Sequence, residues 1–318
     1  MMIGKYLCQT MLGYMNFMDI MKIRESNDPY FSDIITPAFL DDIITNCIRS
    51  RLHELNLDWL PAVLTKTNSV ISGSFPLQCI LNEYWNKSDI NIYELTDEKS
   101  FTPLQNLIYY DIPRTHAVQH VGGGYQHTAI GSVGTYDYKY VKNRNKYVRL
   151  QVIAVRNKKV DNRMQYYKTC KQYCNTHQDF INENFDFDIC KIIFDENTTR
   201  ICGDATHETI YNKQSGYKLN RGFTNVNYIM DRLVTNHLQR LVKYDKRGIT
   251  IIPNDFIENK YMYDYDWKVD QNVLTHSQTK QIDELKNMIK KYQSLFELEI
   301  DKTRFQVGFD HKLLLLPI

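Results

Sequence analysis

Val70-Ile71-Ser72-Gly73-Ser74, continuing through Phe75-Pro76-Leu77-Gln78-Cys79-Ile80-Leu81-Asn82-Glu83-Tyr84-Trp85 to Ser88-Asp89-Ile90-Asn91-Ile92-Tyr93, is the stretch that decides the fold. It reads as strand, tight turn, short helix and second strand. Val70 and Ile71 are β-branched, as a strand favours, and Gly73-Ser74 turns the backbone and leaves amide N–H groups at a helix start, where an anion such as a triphosphate fits. On the second strand Asp89 and Asn91 are two apart and share one face, while Ile90 and Ile92 take the other. Oxygen-bearing side chains in that pattern suit a hard cation held against phosphate.

These residues resemble the nucleotidyltransferase superfamily, in which a hydrophobic strand ends in Gly-Gly or Gly-Ser and leads through a helix to an Asp-x-Asp or Asp-x-Glu strand. Poly(A) polymerases and aminoglycoside nucleotidyltransferases are members. The segments Gly73-Ser74, Leu77-Gln78-Cys79, Trp85 and Ser88-Asp89-Ile90-Asn91 are similar in particular to those of uncharacterised nucleotidyltransferase-like proteins of large DNA viruses. The resemblance implies a polymerase-β-like fold, Mg²⁺ as cofactor and a nucleoside triphosphate as substrate, with Gly73 and Ser74 holding the triphosphate and Asp89, Asn91 and an acid from a later strand holding the metal. One position departs from the pattern. Asn91 stands where the family has a second carboxylate, and an amide oxygen brings no charge to a metal pair that relies on bridging carboxylates.

At 318 residues the chain has room for one large or two ordinary domains. Hydrophobic residues at 43% and charged residues at 24% are ordinary globular usage and argue against wholesale disorder. A net charge of +2 is too mild to demand a polyanionic partner, so nucleic-acid contact has to come from local clusters. Seven cysteines without a recognisable signal peptide point to reduced thiols in a cytosolic compartment, the host cytoplasm or virion if the protein is viral. No stretch approaches the roughly 20 apolar residues of a membrane span.

Residues 1–25 read as a helix with Met11, Met15, Met18 and Met21 as its packed stripe. Residues 36–55 form a stronger helix, with Thr36 as cap, Pro37 in the first turn and Leu40, Ile43, Ile44, Cys47, Ile48 and Leu52 on its apolar face; it should pack beside the strand ending at Gly73. The run Val121-Gly122-Gly123-Gly124 fits a loop turn better than a phosphate loop, residues 130–140 suggest a β-hairpin, and residues 147–155 read as a strand of the central sheet.

From Lys139 through Lys142, Arg144, Lys146, Arg149 and Lys158 to Arg163 the chain is locally basic, with Tyr136, Tyr138, Tyr140 and Tyr147 interleaved. The mixture suits single-stranded nucleic acid, through phosphate contacts and base stacking, or a solvated hairpin. Cys170, Cys174 and His177 fall near one face of an expected helix over 161–180, but a closed zinc site needs a fourth ligand.

Residues 184–194, Asn-Phe-Asp-Phe-Asp-Ile-Cys-Lys-Ile-Ile-Phe, alternate apolar and acidic positions as a strand. By the resemblance Asp186 is the third metal ligand and acts as the catalytic acid or base, with Asp188 on the same face as a substitute; an edge strand with exposed acids is the other reading. Arg240, Lys243 and Arg247 fall at helical spacing before Gly248. They serve either the helix C-terminus or, with Lys243 and Arg247 as phosphate contacts, a nucleotide- or RNA-facing patch. Residues 278–298 form a last amphipathic helix that docks on the domain or pairs with another chain.

The expected class is α+β: a nucleotidyltransferase-like mixed sheet flanked by helices over 61–250, a helical segment packed on it over 1–60, and an irregular segment plus helix over 251–318. The function expected is a nucleotidyltransferase-like protein with a degenerate Asp-x-Asn metal motif, weak or absent turnover and a nucleic-acid or protein binding role. The alternative is an active Mg²⁺-dependent enzyme moving a nucleotidyl group to an RNA, protein or small-molecule hydroxyl.

Overall fold

In the computed structural model the quoted stretch lies at the middle of a sheet. Residues 2–26, 28–85, 88–96, 103–110, 115–117, 130–139, 147–156, 174–217, 240–253, 306–309 and 313–316 are described. By contacts they divide into one unit over Met1–Asn212 and a second over Lys213–Ile318.

Among the described residues the first unit is built on seven strands, β1 (Ser69–Ser72), β2 (Ile90–Thr96), β3 (Thr115–Ala117), β4 (Ile130–Lys139), β5 (Tyr147–Arg156), β6 (Ile192–Phe194) and β7 (Thr199–Ile201), in the order β3-β4-β5-β2-β1-β6-β7. The β2 and β5 pairing is parallel and the others are antiparallel, which makes the sheet mixed. The described helices that accompany it are α1 (Met2–Leu12), α2 (Phe17–Glu25), α3 (Pro29–Ser32), α4 (Pro37–Glu54), α5 (Leu60–Lys66), α6 (Ser74–Ile80), α7 (Pro103–Tyr110), α8 (His177–Asn184) and α9 (His207–Tyr211). The class is α+β, as the sequence implies.

Paired residues share a face, so the register sorts the two sides of the sheet. One side carries the row Phe194, Ile71, Ile92, Val152, all with no exposed surface. Glu94, next on that side, is 1% exposed, and its carboxylate accepts the backbone N–H of Leu104 at 3.2 Å in the first turn of α7. The other side carries Val70, Tyr93, Ile153, Val155 and Ile193, on which Phe180 and Ile181 of α8 pack. Beyond that cover the same side ends in a polar row, Ser72, Asn91, Gln151 and Thr135.

Residues 1–25 are two helices, not one. Asn16 accepts the N–H of Asp19 at 3.0 Å and caps α2, which resets the helical phase. The buried positions are therefore Leu12, Phe17, Ile20 and Met21, while Met11 is 65% exposed. Thr36 caps α4 as expected, with Pro37 at its start, but α4 lies against α6 and the edge strand β7, where Thr45 meets Thr199 through their hydroxyls at 2.9 Å. Residues 130–139 are one continuous strand whose hairpin partner is β5. Gly134 sits inside that strand because the Tyr136 ring covers it, and a Cβ there would meet the Tyr136 hydroxyl at 2.7 Å. The stretches 121–127, 161–173 and 278–298 lie outside the described residues.

The second unit holds the parallel pair β8 (Gln214–Tyr217) and β9 (Thr250–Pro253) and the antiparallel pair β10 (Gln306–Phe309) and β11 (Leu313–Leu316). Residues 240–245 are helical. Gly248, at φ +73, ends that turn as the sequence suggests: its N–H bonds to Asp245 O at 2.8 Å and the Ile249 N–H to Tyr244 O at 3.1 Å.

At the first residue of α8, burial pushes the His177 imidazole down to about 4, against backbone groups of Asn68 and Tyr93 that favour the charged form. Unfolded chains bind that proton near pH 6.5 and the folded protein near 4, so stability should be complete above pH 6.5 and fall as the pH drops from 6.5 to 4. Urea unfolding of the wild type and His177→Gln across this range checks it: the variant should lose that part of the pH slope.

Candidate functional site

Gly73 takes φ +90 and ψ −142, a backbone state that side-chain-bearing residues rarely adopt. This corner ends β1, starts α6 and returns the chain to β2 with Ser72 directly opposite Asn91. A Cβ on Gly73 would lie 3.5 Å from Asn91 Nδ2 and 3.8 Å from Phe185 Cε2, so the Asn91 amide rests against the corner. All seven residues of α6 are buried, including Ser74 at 8% and Gln78 at 5%.

Ile90 and Ile92 are buried while Asp89 and Asn91 are half-buried, in keeping with their alternation. Ser72 Oγ and Asn91 Oδ1 are buried atoms without a hydrogen-bond partner among the described residues. Asp89 lies near Arg149, whose guanidinium is held above its ordinary range first by the 2.9 Å hydrogen bond to Asp137, then by the charge of Asp137, and lastly by that of Asp89, with burial opposing.

Asp186 is 1% exposed and follows Phe185, the residue that touches the Gly73 corner. It does not share a strand face with Asp188. Asn184 ends α8, residues 188–190 form a 3-10 turn, and in β6 Ile193 and Phe194 pair with β1. The turn is closed by the Lys191 N–H on Asp188 O at 2.8 Å and by the Lys191 ammonium on the Asp188 carboxylate at 2.5 Å, both side chains about 95% buried. Residues 186–190 are all buried, in a turn packed on α6, where the sequence reads an alternating strand. Among the described residues no three His, Cys, Asp or Glu side chains gather as a metal cluster.

The sequence reading missed what braces the corner. Gln78 Oε1 accepts the Trp85 N–H at 3.2 Å, Gln78 Nε2 donates to Ser88 Oγ at 3.1 Å, and Ser88 Oγ lies 3.4 Å from Ser74 Oγ. A single polar residue inside Phe75-Pro76-Leu77-Gln78-Cys79-Ile80 was the available clue. Arg51, 6% exposed, packs over the Tyr84 ring at 3.5 Å and donates to Glu83 O at 3.0 Å, and Tyr84 donates to Glu54 at 2.6 Å.

Solved structures of CCA-adding enzymes are similar to this chain. That of Thermotoga maritima complexed with tRNA matches 79% of this chain and 53% of its own at 11% identity and TM-score 0.42. A complex of a CCA-adding enzyme with ATP matches the same shares at 13% and 0.43, and the Bacillus stearothermophilus enzyme in complex with CTP matches 71% and 47% at 13% and 0.37. The chain spans about half the length of these structures. No family model and no curated protein matches it.

Lys243 and Arg247 belong to the second unit. Lys243 is exposed, and Arg247 lies beyond the helical residues in the following turn, its guanidinium 5.2 Å from the centre of the Tyr244 ring. Of the basic span after Lys139, residues 140–146 and 157–173 lie outside the described ones. No described helix is long and apolar enough to cross a membrane.

Removing one half of the buried pair tests how Asp188 is held. Lys191→Met takes the ammonium away from a buried carboxylate and should cost about 3–5 kcal/mol, while Asp188→Leu with Lys191→Met recovers most of it, read by urea denaturation of the two variants and wild type.

Proposed function

We propose that this chain is a nucleotidyltransferase-like protein whose Gly73-Ser74 corner takes a nucleoside triphosphate and whose metal motif is degenerate, with weak or absent transfer and a nucleic-acid binding role. The observation that carries it is Asn91: its neutral amide rests against Gly73, at the place where the family's pattern has a second carboxylate. Gly73 supplies a backbone corner with no side chain over it, Ser74 a hydroxyl, and Ser72 and Asn91 buried oxygens on one face. Asp188 has no part in this reading, because Lys191 already neutralises it.

The donor set is all oxygen and so suits Mg²⁺, with Asp89 and the Asn91 amide as the residues that would hold it. Bound there, such an ion would offset triphosphate charge and polarise a phosphoryl oxygen. One carboxylate and one amide carry too little charge for the two-ion arrangement on which rapid transfer rests. Arg149 near Asp89 lowers that negative field further. The active enzyme is the second reading, favoured by Asp89 and by the buried Asp186 one residue from the corner-lining Phe185.

Incubation with Mg²⁺ or Mn²⁺ and each labelled triphosphate, with RNA or the protein itself as acceptor, separates the two. The expected result is triphosphate binding with transfer near background in the wild type and at least tenfold more in Asn91→Asp. Brisk wild-type transfer that Asp89→Ala abolishes would overturn the degenerate reading in favour of the active one.

The nucleic-acid role is supported by the basic, Tyr-interleaved sequence after Lys139 and by Arg240, Lys243 and Arg247. Neutralising Lys142, Arg144 and Lys146 should weaken retention of single-stranded RNA on filters and lower its log–log salt slope by about 0.7 for each phosphate that is no longer neutralised. Unchanged retention would remove that patch from the reading.

A further inference from the structure

Resting on the nucleic-acid reading of the basic span after Lys139, we infer that Arg149 grips a backbone phosphate of a single-stranded nucleic acid laid along one face of the β4–β5 hairpin. The register divides the hairpin into two faces. Tyr136 pairs with Leu150 and Tyr138 with Val148, and all four side chains are buried. The Tyr138 hydroxyl donates to Asn56 O at 3.2 Å and its ring centre lies 6.1 Å from that of Trp59. Tyr136 and Tyr138 therefore belong to the core, and no base can stack on them. On the opposite face Thr135 pairs with Gln151, Asp137 with Arg149 and Lys139 with Tyr147. Ile153 and Val155, further back on that face, lie in the core beside Phe180 and Ile181 of α8, so the three polar pairs run outward from that cover.

The Arg149 side chain is 52% exposed and that of Asp137 23%. Arg149 Nε donates to Asp137 Oδ1 at 2.9 Å, and no other hydrogen bond of the guanidinium occurs among the described residues, which leaves the N–H groups of both terminal nitrogens for a ligand. Tying Nε restrains the plane of the fork, and that fork matches a pair of phosphate oxygens. A cross-strand pair this exposed stabilises a hairpin only weakly, so stability alone does not account for it. Charge decides between a lone anion and a polymer. Asp137 and Asp89 both offset the Arg149 charge, so a single phosphate gains little there. Residues 138–160, however, carry eight Lys or Arg and no Asp or Glu. A polyanion profits from the whole span, with one phosphate on the fork and its neighbours on the flanking cations.

Anisotropy titration of the full chain with a labelled oligouridylate, beside calorimetry with inorganic tripolyphosphate and with hexaglutamate, tests the inference. Arg149→Gln should weaken oligouridylate about tenfold or more and lower its log–log salt slope by about 0.7, the share of one phosphate, while tripolyphosphate affinity stays within about twofold. Arg149→Lys keeps the charge without the fork. It should hold the slope and bind oligouridylate about threefold or more weaker than wild type, which keeps the test open if Arg149→Gln does not fold. Wild-type affinity for oligouridylate in Arg149→Gln, or in Arg149→Lys, overturns the inference alone. Equal loss of oligouridylate and tripolyphosphate in Arg149→Gln also overturns it, because the phosphate held would then be that of a free polyphosphate. Hexaglutamate binding that falls in Arg149→Gln while oligouridylate does not assigns the face to an acidic protein and overturns it too. A wild type that retains no oligouridylate brings down the nucleic-acid reading and this inference with it.

Discussion

The backbone of a single residue sets the geometry of the first unit. Gly73 holds a left-handed conformation that lets β1 stop, α6 begin and β2 come back antiparallel within one short excursion. The helix between has no exposed face, so it cannot slide without disturbing α4 on one side and the sheet on the other. The register of Ser72 with Asn91 is thereby pinned by core packing and not by anything at the site. A slip of one residue would turn Ile90 and Ile92 out of the core, which is why the polar row stays where it is.

Charge around the corner is largely balanced by the protein itself. Lys191 answers Asp188 in the interior, and Arg149 answers Asp137 while lying near Asp89. With an amide at residue 91, the negative potential that draws divalent ions is smaller than three carboxylates would produce.

The central elements were readable in the sequence because local rules agree there: β-branched residues, a glycine at the turn, alternation at Ile90 and Ile92, and Thr36-Pro37 opening a helix. Where alternation of residue types has another cause than a strand, the reading went astray. Residues 184–194 alternate in residue type but are buried without interruption from Asp186 to Phe194, and the ion pair that closes the turn joins residues three apart, a relation that period-two counting hides. Residues 1–25 misled for a related reason, since Asn16 acts as a cap inside an apparently continuous apolar stripe. Gln78, Ser88 and Arg51 escaped because their importance lies in contacts between loop and helix, which no local periodicity announces.

The parallel pair in the sheet of the first unit has a bearing on how that unit assembles. Strand β2 meets β1 with Ser72 opposite Asn91, 19 residues along the chain, but its other neighbour, β5, pairs Ile90 with Leu150, 60 residues further on. Closing that span costs loop entropy before any ladder bond repays it, so the corner and its first hairpin form early and cheaply while the far wall of the polar row arrives late. A newly made chain therefore closes the Gly73 corner before the strand beyond it is in place, and docking of β5 is the event that completes the polar row.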